Sequence, residues 1–185
     1  MEDIKKKIIE KFESLPENFI VLVIVTTSDY SAINLAVLEY LINDNKFSGI
    51  YLTMNKPYQT LVDMMEKNNI DTAKMFFIDS ISGTIGQKSG SKNCLIVQNP
   101  AGLTELGIQI TEACSTKNPK FFILDSLSTM LVYNNENATV RFIHFFITSL
   151  RKFRVAGVIF CMEKDIDKEM LDNITMFTDK SITMR

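Results

Sequence analysis

Two periodicities alternate along the chain. Ile4, Ile8, Ile9 and Phe12 recur at the spacing of one helix face, with Lys5, Lys6, Lys7 and Lys11 mostly on other faces. The pattern predicts a short amphipathic helix that ends before Pro16, a peripheral element of residues 1–15 packed on the domain's own edge. Residues 19–25 (FIVLVIV) then form an unbroken apolar, β-branched run, as expected of a strand covered on both faces. From there helix and strand patterns alternate: a helix over 29–42, a strand over 49–53, a helix over 58–67 and a strand over 75–78. A polar loop (82–93), a strand (94–97), a helix from Pro100 to about Cys114 and a strand (121–124) follow. After a short turn come a long helix (136–153), a strand (155–161), a helix (168–176) and a last short strand (181–184). Repeated βα units with short linkers predict an α/β fold: a mainly parallel sheet covered by helices on both faces, a three-layer core.

Composition narrows the class. At 185 residues and 46% hydrophobic, the chain fits one domain spanning 1–185, with no internal linker or repeat. A net charge of −2 argues against non-specific binding along a nucleic-acid backbone, which needs a clear basic excess. Cys94, Cys114 and Cys161 are far apart and include no CxxC pair, so they read as buried small hydrophobes in a reducing compartment. No opening segment has the apolar core of a signal peptide, and the run at 19–25 is too short to span a bilayer. A soluble, cytoplasmic chain is expected.

The most informative segment is 120–128 (KFFILDSLS). Four apolar residues end in Asp125, which places a carboxylate at the carboxyl edge of a buried strand. With Ser126, the long helix carrying Arg141 and Phe142, the segment 49–57 (GIYLTMNKP) and the strand end at 75–79 (MFFID), the chain resembles RecA/KaiC-type P-loop ATPases. The resemblance runs over most of residues 19–184. It implies that Asp125 corresponds to the Walker B aspartate, which holds Mg²⁺ directly or through water.

The pattern departs from that family where a triphosphate should bind. A phosphate loop needs glycines to aim several N–H groups at one anion, a lysine for the outer phosphates and a Ser/Thr for Mg²⁺. After Val25 the chain reads Thr26, Thr27, Ser28, Asp29, Tyr30 and Ser31; no glycine precedes Gly49 and no lysine lies between Lys11 and Lys46. Ser28 or Asp29 is expected to cap the next helix and to occupy the phosphate's place. A charge on Asp29 would also repel a phosphate, by roughly 4 kcal/mol at about 4 Å and an effective dielectric near 20. The resemblance further places the paired catalytic glutamates at Asn55 and Lys56, neither of which can accept a proton from water. Asp125 then survives either as a vestige or, with Ser126, as a cap for the turn that follows; the structural role is preferred.

Other candidates carry less. The loop at 83–92 has three glycines and two lysines but leads into a strand, so it reads as a surface loop that is open to a partner. His144, the single histidine, lies among aromatic residues as a structural group. Asp79 with Ser80 repeats the strand-end pattern, and Asp79 could approach Asp125 to hold a divalent ion. Arg151, Lys152 and Arg154 complement a helix dipole and form too small a patch to argue for DNA. The leading expectation is a non-catalytic RecA/KaiC-like module that works through a protein partner, either a second copy or an active ATPase, in signalling or assembly, with no cofactor. Two alternatives stand beside it. One is a residual ATP-binding protein, with Mg²⁺ on Asp125 and phosphate on Thr26, Thr27 or Ser31; the other is a recombinase-like DNA-binding accessory using Arg151 and Arg154.

Overall fold

The computed structural model describes residues 2–87 and 90–184. Helix α1 (Glu2–Glu13) leads into β1 (Ile20–Val25), α2 (Tyr30–Glu39), β2 (Gly49–Thr53), α3 (Tyr58–Lys67), β3 (Met75–Asp79) and β4 (Cys94–Ile96). The second half runs α4 (Leu103–Lys117), β5 (Phe121–Asp125), α5 (Leu127–Tyr133), α6 (Glu136–Phe153), β6 (Ala156–Met162), α7 (Lys168–Thr175) and β7 (Lys180–Met184). The strands form one sheet in the order β4-β3-β2-β5-β6-β1-β7, every neighbouring pair parallel.

Strand alternation divides the core in two. Val21, Val23, Tyr51, Phe77, Phe121, Ile123 and Phe160 point to the face covered by α1, α2 and α3. Their neighbours Ile20, Leu22, Leu52, Ile78, Phe122 and Ile159 point to the face covered by α4, α5, α6 and α7. Residues 20–25 are buried throughout, so the unbroken apolar run reflects a strand with helices above and below.

The observed elements differ from expectation in three places. The stretch after Asp125, read as a short turn, is the seven-residue helix α5; Ser126 caps it by accepting a hydrogen bond from the Thr129 amide at 3.3 Å. The helix expected from Pro100 starts at Leu103, because residues 99–102 close a turn through Gly102 N–H to the Asn99 carbonyl. The helix begun by α2 passes into a π turn over Tyr40–Asp44. In the 83–92 loop a 3₁₀ turn covers Ser82–Ile85, and Lys88, one of the loop's two lysines, lies outside the described residues. No helix of the described residues is long and apolar enough to cross a membrane.

All three cysteines are buried and unpaired. Burial pushes the thiols up, Cys94 and Cys114 to about 12 and Cys161 to about 11. Little thiolate therefore exists at neutral pH. At pH 8 the native protein should react with Ellman's reagent at least about 100-fold more slowly than the urea-unfolded chain; equal rates would show that these sites open freely.

Candidate functional site

The carboxyl edges of β2, β3 and β5 meet on the face covered by α2 and α3. Thr53 is the register partner of both Asp79 and Asp125, so the two aspartates end strands that flank β2. Two strand spacings, roughly 9–10 Å, separate their backbones. The approach of Asp79 to Asp125 that the sequence left open does not occur.

Asp79 is fully used elsewhere. Its carboxylate accepts from the amides of Ile81 (2.8 Å) and Ser82 (2.9 Å), from the Ser82 hydroxyl (2.6 Å) and from the Tyr58 amide (2.7 Å). Tyr58 opens α3, so Asp79 satisfies an orphan N–H at that helix start and places negative charge at the positive end of its dipole. No group of three or more His, Cys, Asp or Glu side chains among the described residues could hold a metal ion.

Asp125 lies at the centre of a buried polar network. It is wholly inaccessible to solvent, and its Oδ2 accepts from the hydroxyls of Tyr30 and, at 2.5 Å, Tyr51. Its Oδ1 accepts from the Asn55 side-chain amide at 2.9 Å. Two of these donors are braced in turn. Asn34 Nδ2 donates to the Tyr51 oxygen at 2.8 Å, and the Asn55 carbonyl oxygen accepts from the Thr129 hydroxyl. Thr129 lies on α5, so Asn55 ties the carboxyl end of β2 to the element after β5. The Asp125–Ser126 peptide is cis.

Burial pushes the Asp125 carboxyl above its usual range, while the Tyr30 and Tyr51 hydroxyls, the Lys56 charge and the Asn55 amide pull it back. Burial, with the Asp125 charge added, also pushes both tyrosines far up, so they stay protonated and serve as donors.

Tyr30 decides the geometry. It is the first residue of α2, 9% exposed, and its hydroxyl closes onto Asp125 at the end of β5. Its ring packs edge-on against Phe160 with centroids 6.1 Å apart, and the Lys56 ammonium sits 5.3 Å from the ring centroid. Lys56 is held in place by its own backbone, whose N–H and carbonyl both bond the Thr53 hydroxyl. Sequence reading missed Tyr30, Tyr51, Asn34 and Thr129. The available signal was a tyrosine directly after Asp29, and a second one inside an otherwise aliphatic strand.

The turn before α2 is built differently from the expectation. Asp29 stands at the N-cap position, but its side chain accepts no hydrogen bond from the helix amides. The Asp29 carboxylate instead accepts from the Thr26 hydroxyl at 2.5 Å, which also lies 3.0 Å from the Ser28 hydroxyl. The Tyr30 amide donates to the Thr26 carbonyl, closing the turn on itself. Thr27, Ser28 and Ser31 are exposed and Thr26 is half-buried.

The remaining candidates are structural in their contacts. His144 stacks on Phe177 with centroids 4.3 Å apart. Arg151 donates to the Phe177 carbonyl and the Asp179 carboxylate, both at 3.1 Å, while Asp179 accepts from the Ile20 amide. Arg151 thus ties α6 to the segment entering β7. Arg154 ends α6 in the left-handed region with φ 55°.

The fit of a nucleotide-bound cation can be tested on these contacts. A Mg²⁺ ion needs an oxygen lone pair facing open space. Here Oδ2 accepts from two tyrosine hydroxyls and Oδ1 from Asn55, and the residue is wholly closed to solvent, so no lone pair faces open space. The residues present do not fit a Mg²⁺ site at Asp125.

Comparison with known proteins agrees with this architecture. The parallel sheet with helices on both faces is a RecA/KaiC-like fold: a KaiC-like protein of the hyperthermophilic archaeon Pyrococcus horikoshii OT3 superposes with a TM-score of 0.67 at 14% identity. The match covers 91% of this chain and 72% of that one. By sequence, the chain belongs to DUF7504, a family of unknown function whose model matches residues 61–184. That match includes Asp125 and Asn55's partner Thr129, but not the turn at 26–31. No curated protein matches the sequence.

Proposed function

We propose that this protein is a non-catalytic RecA/KaiC-like domain, a pseudo-ATPase that has lost its phosphate loop and acts through protein contacts, as a regulatory or scaffolding module in signalling or assembly with an active ATPase. The observation that carries the reading is the occupation of Asp125 by Tyr30, Tyr51 and Asn55. A carboxylate that would hold Mg²⁺ in an ATPase here anchors the first residue of α2 to β2 and β5. Two further facts support it. The segment between Val25 and Gly49 has neither a glycine nor a lysine except Lys46, which follows the helix. The positions that would carry the water-polarising glutamates are Asn55, a donor to Asp125, and Lys56, a cation beside Tyr30. Three buried free thiols suit a reducing, cytoplasmic setting.

Isothermal titration with Mg²⁺-ATP tests the reading. No binding is expected up to about 1 mM ligand, equivalent to less than roughly 4 kcal/mol of affinity, and no phosphate release. Saturable micromolar binding that disappears in Tyr30→Ala or Asp125→Ala would overturn it.

A further inference from the structure

The face of the sheet away from Asp125 carries an unfilled groove between α4 and α6, of about 1050 Å³. Leu103, Gly107 and Phe142 line it together with two open apolar side chains, Ile108 (61% exposed) and Phe145 (44% exposed), and with the charged Glu112, Arg141 and Lys152. Gly107 matters here, because a Cβ at that position would lie 2.9 Å from the Phe145 ring. Its absence lets the ring lie close on the α4 backbone, with the rest of the ring turned outward.

Charge is divided along the outer rows of the two helices; Lys117 on α4 and Glu136 on α6 each lie nine residues from the row's apolar centre, about half a turn round the helix. On α4, Glu105, Ile108 and Glu112 follow one another at i, i+3 and i+7, an outer row that is acidic, apolar, acidic. On α6, Arg141, Phe145, Thr148 and Lys152 follow at i, i+4, i+7 and i+11, a row that is basic, apolar, polar, basic. All four charged residues are exposed, and none belongs to an ion pair among the described residues.

We propose that this groove is a self-association surface, which docks on the same groove of a second copy about a two-fold axis parallel to α4 and α6. Both helices return between parallel strands and so run in the same direction. A two-fold axis along them lays α4 of one copy over α6 of the other. Ile108 then meets the outward side of Phe145, Glu105 meets Arg141, and Glu112 meets Lys152, each contact made twice. The heights agree: counted from the level shared by Gly107 and Phe145, Glu112 lies roughly 7.5 Å and Lys152 roughly 10.5 Å further on, within reach of long side chains. The competing axis, across the helices, would set α4 on α4 and α6 on α6, acid against acid and base against base. The division of charge therefore selects one arrangement and opposes the other.

The two helices are about 22 and 27 Å long and lie about 10 Å apart, a footprint of roughly 500 Å² in projection. A standard stable interface uses about 800 Å² per partner, so the dimer belongs to the weak class. This inference rests on the proposed function only in that the chain acts through protein contacts, and it adds a second copy to those contacts beside the active ATPase. The two fail separately, since ATP titration reads the opposite face and is indifferent to self-association.

Sedimentation equilibrium of the whole chain from about 1 µM to several hundred µM reads the result. Wild type should show a monomer–dimer equilibrium. Glu105→Lys with Glu112→Lys, and separately Arg141→Glu with Lys152→Glu, should each weaken it at least about tenfold, and Ile108→Asp should do the same. Because the substituted side chains are all exposed, circular dichroism should show unchanged folding. An equimolar mixture of the two charge-reversed proteins should re-associate, since each acidic row then faces a basic one. A wild-type monomer at the highest concentration would mean that the groove serves another partner, and would overturn the proposal. So would dimers indifferent to the reversals, or a mixture that stays monomeric.

Discussion

Asp125→Ala should cost this protein roughly 3–5 kcal/mol of stability, whereas Asp125→Asn should cost less than about 1.5 kcal/mol. Alanine leaves the hydroxyls of Tyr30 and Tyr51 and the amide of Asn55 with no acceptor in a site closed to solvent. Each orphaned buried donor costs about 1–3 kcal/mol. Asparagine keeps an oxygen for the two tyrosines, and its amide can meet Asn55 once that side chain turns over, because the Thr129 hydroxyl can accept as well as donate. Urea unfolding at pH 7 separates the two variants. A metal-binding aspartate would behave in the opposite way: its removal would leave stability nearly unchanged, and that outcome would defeat the structural role.

The same pair reports the charge. Burial raises the Asp125 carboxyl in the folded state, so its favourable contribution is complete below the unfolded value near 4 and fades as pH climbs through the raised one. The carboxamide of the Asp125→Asn variant cannot ionise. The stability difference between variant and wild type should therefore move in the variant's favour as pH rises above about 4.

Asn55→Glu, which would set a second carboxylate beside Asp125, should destabilise the fold by about 2 kcal/mol at pH 7. Asn55 Nδ2 lies 2.9 Å from Asp125 Oδ1, and a second carboxylate there would replace an attraction with a like-charge repulsion. Residue 55 is half-buried, so the new side chain can turn to water, which keeps the loss below that of Asp125→Ala. Both carboxyls would be raised in the folded state, so the lost stability should return as pH falls towards 4. Unfolding midpoints at pH 4.5 and 7.5 would check this. A variant as stable as wild type at both would mean that Asn55 and Asp125 are not coupled.

Much of the molecule was legible from residue order. The run at 19–25 announced a strand buried on both faces, and β1 is one. Asp79 and Asp125 were readable as strand-end carboxylates beside chain reversals, and the absence of glycine before Gly49 needed no structure at all. Contacts at a distance were not legible. Tyr30 and Asp125 are 95 positions apart, and Tyr51 and Asp125 are 74 apart. Nothing local to a tyrosine says whether its hydroxyl will meet water or a carboxylate. Asp29 shows the converse: its type and position both favoured capping, yet the Thr26 hydroxyl, three residues away, takes its carboxylate instead.

What residue order alone determined is the scaffold and the absence of glycine and lysine from the turn after β1, because periodic burial and the φ freedom of glycine are properties of the local chain. What only the tertiary structure decided is the fate of Asp125. Parallel pairing of β2 with β5 brings Tyr51 and Asn55 to it, and the packing of α2 brings Tyr30. A buried carboxylate is tolerated only when enough donors converge on it, and that convergence exists only once the sheet has formed.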